Sequence, residues 1–319
     1  MPFAHGVPIA GAVEYVASDG TPTTLALLQG YVDNQGDAWA YTLNYVEQFL
    51  EQKRGGTAPV GDPGDVHGGY LALVRTLGQR TAELHIALSK KIGDPAFDPE
   101  PADARDVMAW ARHAHESASA AMDRLEQRRS TLDASTRVAA ELLLARRSDL
   151  LNYVETLAPS KAQVMKTRVH GDYHLGQVLL VQNDFVITDF EGEPARSLAE
   201  RRHKQPAAKD VAGMLRSFNY ARYQALAHAT VERPDALASL EVPAREWERA
   251  TRQAFLHAYR DNTQGSPLYG SWDDMRQLID LFEVDKAFYE VGYEVDNRPD
   301  WVRIPLAGLE DVWKSARRD

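Results

Sequence analysis

The chain has 319 residues, 44% hydrophobic and 26% charged, with 36 Lys plus Arg against 46 Asp plus Glu and a net charge of −10. That length suits two domains, or one with a large subdomain. The acidic balance argues against nucleic acid as the main partner, because phosphate-backbone binding needs a basic surface. A small polyanion such as a nucleotide stays compatible, since one local cluster or a bound cation can hold it. Cysteine is absent, which excludes a disulfide framework and thiolate chemistry. No run approaches the roughly 18 apolar residues of a membrane span, and the N-terminal "MPFAHGVPIAGAVEYV" carries no basic leader. The expectation is a cytoplasmic protein with no membrane partner.

In chain order, "GAVEYVA" (11–17) and "TTLALLQGYV" (23–32) read as short strands joined by a turn at Asp19-Gly20. Next, "AWAYTLNYVEQFLEQ" spaces Trp39, Leu43, Val46 and Leu50 along one helical face. A Gly-rich segment (55–69) reads as a flexible surface loop and precedes helical runs at 70–90, 104–128 and 135–157, the last punctuated by Pro159. The one strongly β-like region of the remaining chain is "RVHGDYHLGQVLLVQNDFVITDFEGEP" (168–194). The polar stretch "ARSLAERRHKQPAAKD" follows, then helices expected at 210–230, 243–262, 272–295 and 306–317. The order is a small β piece, a linker, and a helical body with one inserted hairpin.

Within that hairpin, "VLLV" and "FVITDF" flank Gln182-Asn183-Asp184, a tight antiparallel connection. Gln177 before the first strand and Asp189 at the end of the second then lie at the same end, and "HGDYH" brings Asp172 to that end too. Two oxygen ligands around a hard cation, with a carboxylate in reach of a hydroxyl, are what phosphoryl transfer requires. Mg²⁺ suits the set because every candidate ligand offers oxygen. The spacing matches protein-kinase catalytic loops, in which a metal-binding Asn follows the catalytic Asp by five residues and a D-F-G comes later. Here Gln177 stands where Asn is usual and Glu191 where Gly is usual. Asp172 is therefore the expected catalytic residue and Gln177 and Asp189 the metal ligands, with His174 and Glu191 as further metal or phosphate candidates. His170 and Asp210, one turn into a helix, are expected to hold the loop in place.

"HGDYHLGQVLL" resembles the catalytic loop of the aminoglycoside phosphotransferase-like kinases. The longer string "HGDYHLGQVL…DFEGEPARSLAERR…KDVAGMLRSFNYA" is similar, more narrowly, to maltokinases, including those fused to trehalose synthase. "LALLQGYVDNQGDAW" resembles their interlobe hinge, and "YEVGYEVDNRPDWVRIPLAGL" (289–309) their C-terminal end. The resemblance implies an α+β, mainly α, protein kinase-like fold, with a small-lobe remnant and hinge at 1–34 and a helical large lobe at 35–319. It implies ATP- and Mg²⁺-dependent phosphorylation of maltose to maltose 1-phosphate, with adenine at Gln29, Tyr31 and Val32 and trehalose synthase as a partner.

A kinase of this type needs a glycine-rich phosphate loop and a strand lysine. No lysine precedes Lys53, and no G-x-G-x-x-G lies near the start. The small lobe is thus expected to be truncated. Two alternatives stay open: a non-catalytic domain that binds a partner, and a phosphotransferase for another hydroxyl acceptor. For the sugar, Tyr289 and Tyr293 share a helical face, with Arg298 following before Pro299. The alternative for these aromatics is a place in the core.

Overall fold

The computed structural model describes residues 3–57, 61–159, 162–231 and 233–316. The middle of the Gly-rich segment and Arg317, the expected end of the last helix, fall outside them. The chain opens with an antiparallel ribbon, β1 (Ile9–Val16) and β2 (Pro22–Gln29). At its turn the Asp19 carboxylate accepts the Thr21 amide at 2.9 Å. Helices α1 (Ala38–Arg54), α2 (Pro63–Val66) and α3 (Gly68–Leu88) follow, then a short strand β3 (Glu100–Pro101). Next come α4 (Ala104–Arg128), α5 (Ala134–Leu144), α6 (Arg147–Thr156) and strand β4 (Met165–Thr167). The hairpin is β5 (Val178–Val181) and β6 (Asp184–Ile187), followed by α7 (Leu198–Arg201) and β7 (Gln205–Pro206). Four helices complete the fold: α8 (Ala208–Thr230), α9 (Leu237–Thr263), α10 (Trp272–Asn297) and α11 (Arg303–Ala316). None of the described helices is long and apolar enough to cross a membrane.

Helices α8 and α10 form the axis of the core. Val211, Ala212, Met214, Leu215 and Phe218 on α8 are fully buried, as are Leu278, Ile279, Leu281, Ala287 and Phe288 on α10. Each large apolar side chain among them contributes about 1.5–3 kcal/mol by leaving water. Helices α1 and α9 pack on α8, α4 packs on α10, and α3 packs on α9. The α3–α9 contact depends on Gly78, where an added Cβ would stand 2.5 Å from the Phe255 carbonyl oxygen.

Tertiary burial shifts several sequence expectations. On α1 the buried stripe is Ala38, Thr42, Val46, Phe49 and Leu50, so Trp39 and Leu43 sit at its margin. The run at 135–157 divides into α5 and α6 with no Gly or Pro at the break. Arg146 at that break pairs with Glu310 at 2.7 Å. Helix α9 starts six residues before Pro243, because burial of Leu240 outweighs the backbone bond that the proline forgoes. Strands β3, β4 and β7 form a small antiparallel sheet in the order β3-β4-β7, too short for period-2 patterning to reveal.

The hairpin is tied along both edges. On one side Gln35 and Leu180 exchange backbone bonds around Gly36, with Gln35 N to Leu180 O at 2.8 Å and Leu180 N to Gly36 O at 2.9 Å. On the other, the Ile187 amide donates to His5 O at 2.7 Å. Arg80 of α3 grips Asp184 through two 2.7 Å bonds at the start of β6.

His67, immediately before α3, is buried with its Nδ1 2.7 Å from the Tyr45 hydroxyl and its ring edge-on to Phe49. Burial, reinforced by Lys53, pushes its pKa down to about 4. The unfolded chain therefore takes up a proton near pH 6.5 that the folded chain does not take up until about pH 4. Stability should fall as pH drops through that window, by about 1–2 kcal/mol once solvent screening is allowed for. Urea denaturation at pH 7 and pH 4.5 reads this directly, and His67→Gln should flatten the difference.

Candidate active site

The loop between β4 and β5 is fixed from beneath by one carboxylate. Asp210, 1% exposed, accepts the His170 amide at 2.7 Å and the Gly171 amide at 3.0 Å, and its Oδ2 stands 3.2 Å from His85 Nε2. Burial alone would raise this carboxyl, but the His85 hydrogen bond, the His85 and His170 rings and the Gly171 amide outweigh it and hold the pKa below the ordinary value. His170 bonds Thr188 O through Nε2 at 2.8 Å, joining the loop to the end of the hairpin. Tyr173 is buried with its hydroxyl 2.8 Å from Thr81 of α3, and the Leu175 amide donates to Ser217 of α8 at 3.1 Å. Helix α8 comes this close because residue 213 is glycine: a Cβ there would lie 2.6 Å from Tyr173 O.

Held this way, the loop presents Asp172 to a cleft of about 780 Å³ lined by the loop, α8 and α10. Lys286 Nζ lies 4.0 Å from Asp172 Oδ1, and His174 Nε2 3.9 Å from Oδ2. Lys286 also approaches Glu193 at 3.3 Å. Burial lowers the Lys286 pKa, but Glu193, Glu290 and Asp172 overcome this and leave it raised. Burial would likewise raise Glu193, and Lys286, Tyr289 and Arg196 hold it down instead. Burial leads the shift of His174 below the ordinary histidine value. Its Nδ1 accepts the Gly176 amide at 3.0 Å and so caps the turn at Leu175–Gln177.

Gln177 and Asp189 meet as the hairpin geometry requires, with Gln177 Nε2 donating to Asp189 Oδ2 at 2.9 Å. The connection is tighter than expected. Asp184 pairs with Val181, so only Gln182 and Asn183 span the turn, and β6 ends at Ile187. Asp189 lies beyond the strand at φ +62°, a conformation few non-glycine residues adopt and one often found at functional sites. Turning the Gln177 amide over would place its oxygen beside the Asp189 carboxylate, a donor set that fits a hard divalent cation. Among the described residues no group of three or more His, Cys, Asp or Glu could hold a metal, so such a cation would rely on other oxygens as well.

Tyr289 and Tyr293 stack at 6.3 Å between ring centroids and line the cleft with Arg298. Arg298 is bonded to Glu294 at 2.6 and 2.8 Å and lies over Tyr293 and Trp301. Glu191 is exposed beside the hairpin. Gln29, Tyr31 and Val32 lie outside the cleft lining; Tyr31 is 88% exposed, and Val32 O accepts the Asn34 side chain at 2.8 Å. Sequence reading missed Lys286, Lys209, Glu193 and Asp285, all of which line the cleft. Lys286 falls three residues before Tyr289, so helical spacing alone could have placed it on the same face.

No protein-family model matches the chain. Two curated relatives are glucosamine kinases. The one from Mycolicibacterium smegmatis is 28% identical over 306 residues, covering 96% of this chain and 67% of that protein. The one from Streptacidiphilus jiangxiensis is 26% identical over 305 residues, covering 95% and 61%. Among solved structures, a glucosamine kinase in complex with glucosamine, ADP and inorganic phosphate superposes with a TM-score of 0.73 at 25% identity, over 99% of this chain and 70% of that one. A second crystal form of glucosamine kinase gives 0.70 at 25% identity, over 99% and 67%. The chain spans roughly two thirds of the length of these proteins. Together the likenesses support a sugar-kinase family and do not single out maltokinases.

They also correct the fold class. The solved neighbours are glucosamine kinases, so the fold is theirs and mainly helical. The assignment to a protein kinase-like, aminoglycoside phosphotransferase-like class is withdrawn. A loop and one hairpin carry the local string that suggested it, and they do not dictate how the remaining helices pack.

Asp210→Ala would leave two backbone amides and His85 without their buried acceptor. The expected loss of stability is about 3–5 kcal/mol by urea denaturation. A loss under about 1 kcal/mol would mean that water replaces the carboxylate and that the loop does not depend on it.

Proposed function

We propose that this chain transfers the γ-phosphoryl group of ATP to a hydroxyl of a small amino sugar of the glucosamine class. In this reading Asp172 orients the acceptor hydroxyl and takes its proton as the new phosphorus–oxygen bond forms and ADP departs. Gln177 and Asp189 would hold Mg²⁺, which neutralises phosphate charge. His174 and Asp210 keep the loop in place, while Lys286, 4.0 Å from Asp172, faces the developing charge.

The observation that favours an amino sugar is the charge of the cleft. Six carboxylates (Asp172, Glu193, Asp210, Asp285, Glu290 and Glu294) line it against four cations (Arg196, Lys209, Lys286 and Arg298). Asp285 has Oδ1 buried without a hydrogen-bond partner and Oδ2 4.0 Å from His113, with Lys209 near enough to interact electrostatically. A ligand ammonium would meet that oxygen, since a buried acceptor without a hydrogen bond is costly. A second reading, a neutral sugar such as maltose, draws on the stacked Tyr289–Tyr293 pair, whose faces suit the apolar face of a pyranose. The two curated relatives described above are named for glucosamine.

A panel of glucosamine, N-acetylglucosamine and maltose with Mg-ATP separates the acceptors. Glucosamine should show the highest kcat/KM, and Asp285→Asn should raise its KM about tenfold, a loss near 1.4 kcal/mol, with kcat little changed. Equal or better turnover of maltose would favour the neutral-sugar reading, and no phosphorylation of any of the three would sink both.

The two aspartates should fail in different ways. Asp172→Asn should lower turnover by about 10²–10⁴-fold at every Mg²⁺ concentration while Mg-ATP affinity holds. Asp189→Asn should instead shift the Mg²⁺ dependence to higher concentration. Rescue of Asp172→Asn but not of Asp189→Asn by excess Mg²⁺ would show that the roles are reversed.

A further inference from the structure

The ribbon of β1 and β2 leaves apolar side chains in water on both of its faces. Ile9, Val13, Tyr15 and Val16 on β1 and Leu25, Leu27 and Leu28 on β2 are each 55–68% exposed. Leu27 pairs with Ala12 and Leu28 with Gly11, so the neighbouring leucines point to opposite faces. None of these seven belongs to the core or packs against it. Together they expose on the order of 500 Å² of apolar surface. That equals the largest patch of a typical monomer, and patches of this size mark sites of association.

The composition of the ribbon points to its partner. Its two strands, IAGAVEYV and PTTLALLQ, carry a single charge, Glu14, in a chain whose net charge is −10. A partner recognised by its charge meets nothing complementary here. A second copy does fit, because β2 brings no like charge to a two-fold axis between two acidic chains. The area agrees. Two ribbons supply about 1,000 Å² of apolar surface, and at the roughly 65% apolar share of a homodimer interface this implies about 1,500 Å² in total, the size of a stable contact. Register shifts between Ile9 and Gly11 and between Val13 and Glu14 interrupt the ladder. Such bulges increase twist and blunt an edge against added strands. A strongly twisted ribbon instead wraps around another and covers side chains of both faces.

We propose that two copies of this chain associate through the β1–β2 ribbon, each ribbon clasping the other about a two-fold axis. The contact lies apart from the catalytic cleft, since no residue of either strand lines it.

The test is sedimentation equilibrium of the whole chain over about 1–100 µM, which should give twice the chain mass with a dissociation constant at or below about 10 µM. Leu27→Asp combined with Leu28→Asp puts a carboxylate on each face and should weaken association at least a hundredfold. Both leucines lie outside the core, so the melting temperature of dilute protein should not move. Val138→Asp, at an exposed position of α5, should leave association unchanged. Hydrogen exchange on the wild-type protein supplies a reading free of variants, with amides of 9–29 slowing as the concentration rises. A chain that stays monomeric at about 100 µM overturns the proposal and leaves the ribbon to a different polypeptide. A dimer that survives the double variant, or whose exchange slows elsewhere than in the ribbon, overturns it equally. So does open-ended association in place of a dimer, since that marks strands adding edge to edge.

Discussion

The carboxylate of Asp210 receives the amides of His170 and Gly171 and faces His85, joining α8, the loop before β5 and α3 across more than a hundred residues of sequence. It is wholly inside the protein, where a charge survives only if its lone pairs are met. Those partners are met only in one arrangement of the loop. Asp172 follows Gly171 directly, so its direction into the cleft is set by a bond it does not make. The close approach of α8 at Gly213 and the Tyr173–Thr81 bond constrain the same segment from two further sides. If Asp172 is the proton acceptor proposed above, fixing it this way needs no reorganisation at the moment of reaction, which is how preorganised sites work.

The same pair of helices separates two different charge environments. Carboxylates outnumber cations in the lining on the cleft side of α8 and α10, whereas on the other side the arginines are matched by carboxylates, Glu241 and Glu290 among them. Helices can do this because residues one position apart point in directions about 100° apart, so Ser217 reaches the loop while Arg216 reaches the far side. The Arg216–Glu290 pair crosses between them, and Gly308 on α11 leaves room for it, since a Cβ there would meet the guanidinium at 2.5 Å.

How much of this was legible follows from which interactions are local. The hairpin, its convergence of Gln177 on Asp189 and the loop carrying Asp172 could be read because they depend on strand alternation, a tight turn and short spacing. Tyr289 and Tyr293 could be read because four residues make a helical turn. Lys286 obeys the same rule and was overlooked, whereas Glu193 and Asp285 are singled out only by what folds against them. The break between α5 and α6 has no Gly or Pro to announce it, and the small sheet of β3, β4 and β7 is made by segments that meet only in three dimensions. The fold class failed for a related reason: a site signature constrains the site, and the packing of the surrounding helices lies outside it.

The ribbon of β1 and β2 shows what the hairpin does beyond the site. Leu25, Leu27 and Leu28 are each more than half exposed, and a two-stranded ribbon is marginal in water on its own strength. What holds it is backbone pairing of its flanks to the hairpin, with His5 and Val7 meeting Ile187 on one edge and Gln35 and Gly36 meeting Leu180 on the other. These flanks also cover strand edges that would otherwise offer unpaired groups. Ile187 lies two residues before Asp189, which is already held at positive φ. A displacement of the ribbon would therefore pull on β6 two residues before Asp189, whose strained backbone leaves it little room to adjust.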